Sequence, residues 1–213
     1  MLLAITTGAT DATAFERMGH VFASVITGNL VLLGVSAAHA NGRLALLAVC
    51  ALAGYSLGVL IAAPRRPAEN DVQPVWPASA TRALSGDLLF LVAFAVMWEL
   101  VDGAPGSVTQ VVMLALCGLA MGVQSTAVRR LGSVSTTYLT STLTGLLEAI
   151  VVRSWTAVHT RSIGILTAAL AGAAAATLLI IYEHRWLPLI QLLPLVIVEL
   201  ASLRLIRVPS ADA

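Results

Sequence analysis

Two charge-free stretches constrain the fold more than any other feature of the sequence. Leu44–Ala63 and Ser107–Val128 contain no Asp, Glu, Lys or Arg, and as helices both are long enough to cross roughly 30 Å of hydrocarbon. The composition agrees, because 58% of the residues are hydrophobic and only 11% are charged, whereas about 25% are charged in a soluble domain. The chain is therefore predicted to lie in a membrane.

Further apolar runs recur along the whole chain. Backbone polar groups cannot stay unpaired in lipid, so helices are expected, and the runs lack the alternation of a membrane β-barrel. We predict an all-α, polytopic integral membrane domain over residues 1–213, with six to eight crossings. The eight apolar segments are Met1–Phe15, His20–Ala38, Leu44–Ala63, Ala83–Val101, Ser107–Val128, Ser133–Val152, Ser162–Tyr182 and Trp186–Leu203.

One stretch between the third and fourth segments does not resemble a membrane span. Pro64–Thr81 holds four of the eight prolines and several charges. Clustered prolines and polar residues are typical of a loop. We therefore predict an exposed loop over residues 64–81.

The sequence contains an internal repeat. Asp11–Gly34 aligns with Gln124–Leu147 at an offset of 113 residues without a gap, and eight of the 24 positions are identical. The motif Ala-Leu-Ala-Gly also recurs, at Ala51–Gly54 and Ala169–Gly172. The repeat predicts two tandem units of about four hydrophobic helices, at approximately 1–102 and 107–206. Such repeats are frequent in transporters, whose sites lie near the repeat interface.

Both units place small polar residues at the middle of the same apolar segment. Thr27–Asn29 in the first unit corresponds to Thr140–Thr142 in the second. One interpretation is close helix packing, with hydroxyls bonded to backbone carbonyls. The other is a polar path lined by two helices that meet near a pseudo-symmetry axis. Asn29 favours the polar path, because its amide has four bonding positions to satisfy.

The sixth segment carries a polar stripe. Thr137, Ser141, Thr144 and Glu148 follow one another at helical spacing, which places them on one face. The stripe fits a surface that faces water or substrate, and it fits interhelical packing equally well.

These patterns predict two sets of functional residues. The substrate-binding set is expected to face one shared polar cavity, at an interface between the second and sixth segments. It comprises Asp11, Thr27, Asn29, Gln124, Thr137, Thr140, Thr144 and Glu148. The helix-packing set comprises Gly28, Gly54, Gly58, Ser141 and Gly172, and a Gly-x-x-x-Gly pair at Gly54 and Gly58 also leaves a homo-oligomer open.

Other carboxylates are expected near the membrane surface. Asp87, Glu99 and Glu199 lie within about four to five residues of a segment end, where a charge costs far less than at the bilayer centre. Asp11 is the exception, because its repeat partner is the polar Gln124.

Several function classes are not expected from this sequence. The net charge of +1 argues against a nucleic-acid partner, which would need a clustered basic face. The four histidines have no metal-ligand spacing, and Cys50 and Cys117 lie in apolar runs as small hydrophobes. No catalytic motif is present, so neither an enzyme nor a metal or other cofactor is expected.

A series of short motifs follows in a fixed order along the chain: Gly8, Asp11 and Ala12, then Thr27–Asn29, then Gly122 and Gln124, then Arg129–Gly132, and finally Thr136, Thr137 and Thr140. This order of motifs resembles the YoaK-type family of small bacterial membrane proteins, which is known mainly as a domain of unknown function. The resemblance covers nearly the whole chain and implies an integral inner-membrane protein, without an established substrate. Only seven residues precede Gly8, whereas the corresponding helix of the second unit begins fifteen residues before Gly122, so the first helix is expected to be shortened.

The sequence leaves two topologies and two functions open. In the favoured topology all eight segments cross as hairpins, both Arg-x-Gly turns lie at the cytoplasmic face and the units are parallel; in the other, the first two segments of each unit form one broken crossing. The favoured function is a small transporter that moves a small-molecule substrate across the bilayer while the two units rock. The alternative is a non-transporting membrane scaffold or regulatory protein.

Overall fold

The structure, a computed structural model, describes residues 1–63, 76–131 and 139–206. These ranges form eight α-helices and one 3₁₀ turn at His184–Trp186, with no strand among the described residues. The predicted all-helical class is therefore confirmed. The helices are α1 (Leu2–Arg17), α2 (Ile26–Ala38), α3 (Gly42–Ala62), α4 (Ala78–Leu100), α5 (Ser107–Arg130), α6 (Leu139–Val152), α7 (Ala157–Tyr182) and α8 (Leu187–Ile206).

Five of the described helices are long and apolar enough to cross a membrane: α3, α4, α5, α7 and α8 with its preceding turn. In contrast, α2 and α6 have only 13 and 14 residues, or about 20 Å of helix. The expectation that all eight segments cross is wrong for α2, and for the sixth segment only residues 139–152 are described. The apolar segment of α2, measured along the sequence, includes the non-helical residues 20–25 that precede the helix, so its length overstates the span.

Helix α5 lies at the centre of the protein. About 72% of its apolar stretch is buried inside the protein, against 28–33% for the other four spans. It packs against α3 on one side and α4 on another, while α8 contacts both α1 and α4.

Glycines let α3 approach α5 very closely. A Cβ atom added at Gly54 would lie 2.8 Å from the carbonyl oxygen of Ala115, and one at Gly58 would lie 2.3 Å from that of Leu119. Both contacts advance by four residues in the same direction, so α3 and α5 run parallel. Small residues at such crossings permit backbone contact in lipid.

Helices α1 and α7 make the same kind of crossing. A Cβ atom at Gly8 would lie 2.0 Å from the carbonyl oxygen of Ala169, and one at Gly172 would lie 2.3 Å from that of Ile5. Arg17 at the end of α1 donates to the carbonyl of Ile180 near the end of α7, at 3.2 Å. These two helices therefore also run parallel.

Hydrogen bonds at the helix ends define two faces of the bundle. On the Arg17 face, Gln110 in the first turn of α5 donates to the carbonyl of Arg17 at 3.0 Å and accepts from Arg43 at the start of α3. On the Arg130 face, at the other end of α5, Arg130 donates to the carbonyl of Ser79 at 2.9 Å and to the last residue of α3.

Helices α1 and α5 are antiparallel, which overturns the expected parallel units. Arg17 lies beside Gln110 at the start of α5, whereas Leu3 accepts a hydrogen bond from Gln124 near its end. The first Arg-x-Gly turn consequently follows Arg17 at one face, while Arg130 lies at the opposite face. Both turns were expected at the cytoplasmic face, which is wrong for two helices of opposite direction.

The short helices α2 and α6 were expected to pack against each other. Instead, α2 packs against α3 and α6 against α7, and in the described part of the chain α2 and α6 form no extensive interface. Each short helix packs against the helix that comes next in the sequence.

The predicted loop 64–81 falls mostly outside the described residues. Its last part does not: α4 begins at Ala78, Thr81 is buried, and the Trp76 indole N–H donates to the Thr81 hydroxyl at 2.8 Å. The loop therefore ends before residue 78, because Thr81 and Arg82 are polar members of a helix rather than loop residues.

Candidate functional site

The segment between α1 and α2 folds back along α1. Asp11 accepts hydrogen bonds from the backbone N–H of Ser24 at 2.7 Å and from its hydroxyl at 2.5 Å. The ring of Phe15 stacks on that of Phe22, with centroids 5.4 Å apart. Because Asp11 lies six residues before the end of α1, Ser24 lies about 9 Å below the Arg17 face. Helix α2 therefore begins within the bundle and runs back to the Arg17 face, where α1 ends.

Asn29 of α2 also holds the segment that connects α1 and α2. It is fully buried in the first turn of α2. Its Oδ1 accepts from the backbone N–H of Phe22 at 3.0 Å, and its Nδ2 donates to the Phe22 carbonyl at 2.6 Å. The predicted site residues Asp11 and Asn29 are thus both engaged with the residues 18–25 that connect α1 and α2.

A cavity of about 420 Å³ lies between α1 and α7, with Asp11 in its wall. Phe22 from the connecting loop and Leu139 at the start of α6 also line it. The other polar members of the wall are Glu16 and Thr177, and the rest of the lining is apolar. An apolar pocket with a few polar groups is typical of a small-molecule site.

Gln124 lies in a different part of the interior, between α5 and α1. Its Nε2 donates to the carbonyl of Leu3 at 3.1 Å and to the Thr7 hydroxyl at 2.7 Å. Its Oε1 is buried and has no hydrogen-bond partner among the described residues. Gln124 does not line the Asp11 cavity.

A second buried amide, Gln191 of α8, was not anticipated from the sequence. Its Nε2 donates to the hydroxyl of Thr13 at 3.1 Å, and the backbone carbonyl of Gln191 accepts from the Thr6 hydroxyl at 3.1 Å. Both threonines lie in α1, so α1 presents hydroxyls to α8 and α5 together. The signal in the sequence is the helical spacing of Thr6, Thr10 and Thr13.

Asp87 is the most unusual side chain of the interior. It is fully buried near the middle of α4, nine residues after Ala78, and neither carboxyl oxygen has a partner in the described part of the structure. Its expected position near a helix end is therefore wrong, because α4 begins five residues earlier than the apolar segment at Ala83. Electrostatic interactions link Asp87 to Glu199 of α8 and to Cys117 of α5, and Cys117 to Asp11.

The remaining predicted binding residues lie elsewhere. Thr27, Thr140, Thr144 and Glu148 are exposed on the outer sides of α2 and α6, and Thr144 and Glu148 line a separate groove. Thr137 lies outside the described residues. The expected single shared cavity is wrong for the described residues, since helices α2 and α6 point these side chains away from α1.

Only some of the predicted helix-packing residues lie at contacts between helices. Gly54, Gly58 and Gly172 lie at the helix crossings described above. A Cβ at Gly28 would meet Val25 of its own loop at 3.2 Å rather than another helix. Ser141 is exposed.

These features define a polytopic α-helical membrane protein with a polar interior and a helix that begins within the bundle. In the described ranges no group of three His, Cys, Asp or Glu side chains is arranged to hold a metal ion.

The chain belongs to the family of proteins of unknown function DUF1275, whose model matches residues 1–201. It is 35% identical over 152 residues to the UPF0700 transmembrane protein YoaK of Bacillus subtilis (strain 168). That match covers 70% of this chain and 64% of the relative, so the chain spans less than two thirds of the length of that relative. No solved structure matches the chain.

Proposed function

We propose that this protein is a small-molecule transporter of the bacterial inner membrane and that the cavity between α1 and α7 binds its substrate. The observation that carries the proposal is the position of Asp11. Asp11 lines the cavity, and its carboxyl group holds Ser24 of the loop before α2. A ligand that engages Asp11 therefore competes with, or reinforces, the contact that fixes this loop.

The path of the backbone supports transport. Non-helical backbone at membrane depth is tolerated where it is buried in protein or lines a cavity. The connection between α1 and α2 meets both conditions, because Ser24 is buried and Phe22 lines the cavity. Transporters build their sites from such interrupted helices.

The pairing of helices supports a two-unit arrangement of inverted topology. The sequence repeat relates α1 to α5 and α3 to α7. If the two units are exchanged, the α3–α5 pair becomes the α7–α1 pair, and the α4–α5 pair becomes the α8–α1 pair. All four of these helix pairs are packed against each other. Because α1 and α5 are antiparallel, units related in this way are inverted, as in several transporter folds.

The lining of the cavity indicates a substrate class. Apolar walls favour an apolar body, while the carboxyl groups of Asp11 and Glu16 favour a cationic or hydrogen-bond-donating group. We therefore propose a small amphiphilic solute with an amine or similar donor.

A matched pair of variants on α7 tests the proposal. Ala173 lines the cavity, whereas its neighbour Ala174 is exposed on the outside of the same helix. Ala173→Phe fills the cavity and Ala174→Phe does not. Untargeted metabolite profiles would be compared between a deletion strain and strains that express the wild type or either variant.

We expect the wild type and Ala174→Phe to change the same metabolites relative to the deletion, and Ala173→Phe to leave them as in the deletion, at equal membrane levels. Equal profiles for all strains would contradict transport. That outcome would favour the scaffold or regulatory alternative, for which the internal hydrogen bonds of Asp11 and Asn29 are purely structural.

A further inference from the structure

The transport proposal does not explain why the carboxyl group of Asp87 is buried without a hydrogen-bond partner among the described residues. Its carboxyl group is fully buried between α4, α5 and α8, and neither oxygen accepts a hydrogen bond from any described residue. A bare carboxylate at such a position costs several kcal/mol. A positively charged species that joins the carboxyl group removes this cost.

The groups that face Asp87 narrow the choice of that species. Cys117 of α5 and Glu199 of α8 interact electrostatically with Asp87, and neither of these side chains is a cation. Glu199 adds a second acid, and two nearby carboxylates disfavour each other's charge. A proton needs only one of the two oxygens of Asp87, whereas a metal ion would need several oxygen ligands.

The interface between α4 and α8 is polar from Asp87 to the Arg130 face. Ser85 donates to a carboxyl oxygen of Glu199. Closer to the face, Thr81 donates to Ser202 at 3.1 Å, and Ser202 donates to the carbonyl of Glu199 at 2.7 Å. These groups line the interface between the level of Asp87 and the surface of the bundle, and none of them is hydrogen-bonded to Asp87 itself.

We infer that Asp87 is a proton-binding site, loaded from the Arg130 face through Glu199. In the loading step a proton from water joins the Glu199 carboxylate. Glu199 then gives this proton to a water molecule between the two acids, and one O–H bond of that water breaks as a new O–H bond forms on Asp87. Glu199 regains its negative charge and Asp87 becomes neutral. The site is separate from the Asp11 cavity, so the inference goes beyond the proposed function and needs no substrate.

Infrared difference spectroscopy of the full chain in lipid nanodiscs tests this site. The C=O stretch of a protonated carboxyl group without hydrogen-bond partners gives a distinct band. We expect the band in the wild type and in Asp102→Asn, which removes an exposed carboxyl group, and its loss in Asp87→Asn. Isotope-labelled aspartate should shift the band in the wild type, a measurement that does not depend on the folding of any variant.

The route is tested by deuterium exchange of the same band. Glu199→Gln should retain the band but slow its shift in heavy water by tenfold or more, whereas Glu99→Gln should leave the rate unchanged. A band that persists in Asp87→Asn, or fails to shift with labelled aspartate, would overturn the site. A band that responds to Na⁺ at constant pH would overturn the choice of a proton. Equal exchange rates in Glu199→Gln and the wild type would overturn the route.

Discussion

The carboxyl group of Asp11 accepts both the backbone amide and the hydroxyl of Ser24, at 2.7 and 2.5 Å. One side chain of α1 thereby fixes the segment that leads into α2. Ser24→Ala removes one of the two bonds and should lower the free energy of unfolding by roughly 1–3 kcal/mol, as for a hydrogen bond to a charged group. Thermal unfolding in detergent measures the loss, and Ser154→Ala in an exposed turn should leave it unchanged.

A second prediction concerns the stability of variants at Asn29. Asn29→Leu leaves the buried N–H and C=O of Phe22 without their partners, and each unpaired group costs roughly 1–3 kcal/mol. We expect lower stability and lower membrane levels. Asn29→Asp retains the acceptor bond but places a carboxylate oxygen where Nδ2 donates to the Phe22 carbonyl, so it should also lose stability. Normal melting of Asn29→Leu would show that the loop does not depend on this amide.

The helix crossings predict opposite effects for the same substitution at two glycines. Gly8→Ala places a methyl group 2.0 Å from the carbonyl oxygen of Ala169, and such overpacking costs roughly 1–3 kcal/mol. Gly34→Ala in α2 meets nothing within 4 Å and should be neutral or gain up to about 1 kcal/mol in helix propensity. Melting temperatures of both variants test this, and equal values would contradict it.

Asp102 predicts a pH dependence on the Arg17 face. A hydrogen bond from His184 at 3.1 Å, the charge of that ring and the nearby Arg185 hold the pKa of Asp102 below its ordinary value of 3.8. A lowered pKa means that the contact stabilises the fold at pH above 3.8 and that this stabilisation disappears as the pH falls through the folded-state value. The melting temperatures of the wild type and Asp102→Asn should differ slightly at about pH 6 and converge once the pH falls below the folded-state pKa of Asp102.

The arginines predict the orientation in the membrane. Three described arginines lie towards the Arg17 face, and six lie towards the Arg130 face: Arg82, Arg129, Arg130, Arg153, Arg161 and Arg204. The positive-inside rule then places the Arg130 face in the cytoplasm. In a Cys50→Ser background, an impermeant maleimide should label Gly106→Cys on intact cells, but should label Ser154→Cys only after lysis. The reverse pattern would invert the assignment.

The sequence was sufficient for the helical membrane class, the central spans and the close-packing glycines on α3 and α7. It was insufficient to predict how deep in the bundle each helix begins and each polar side chain lies. Hydropathy cannot distinguish a helix that crosses from one that begins within the bundle, and α2 begins at Ile26 although its apolar segment begins at His20.

Depth also explains the errors in the candidate site. Asp87 was assigned to the membrane surface because the loop was predicted to extend to Thr81 and the apolar segment to begin at Ala83, whereas α4 begins at Ala78. Gln191 escaped notice because a single amide in an apolar run has no periodic signal. Thr27 and Thr140 were expected to converge because they align in the repeat, but alignment relates equivalent positions and says nothing about contact between them.

The two glycine crossings have a mechanical consequence. Each joins a helix from one half of the chain to a helix from the other, α3 with α5 and α1 with α7, through backbone contacts that leave no room for sliding. The two halves of the sequence are interlocked, so neither can move as a separate body. Any rearrangement must carry the two mixed helix pairs as its rigid parts, with α4 and the proline-containing α8 between them.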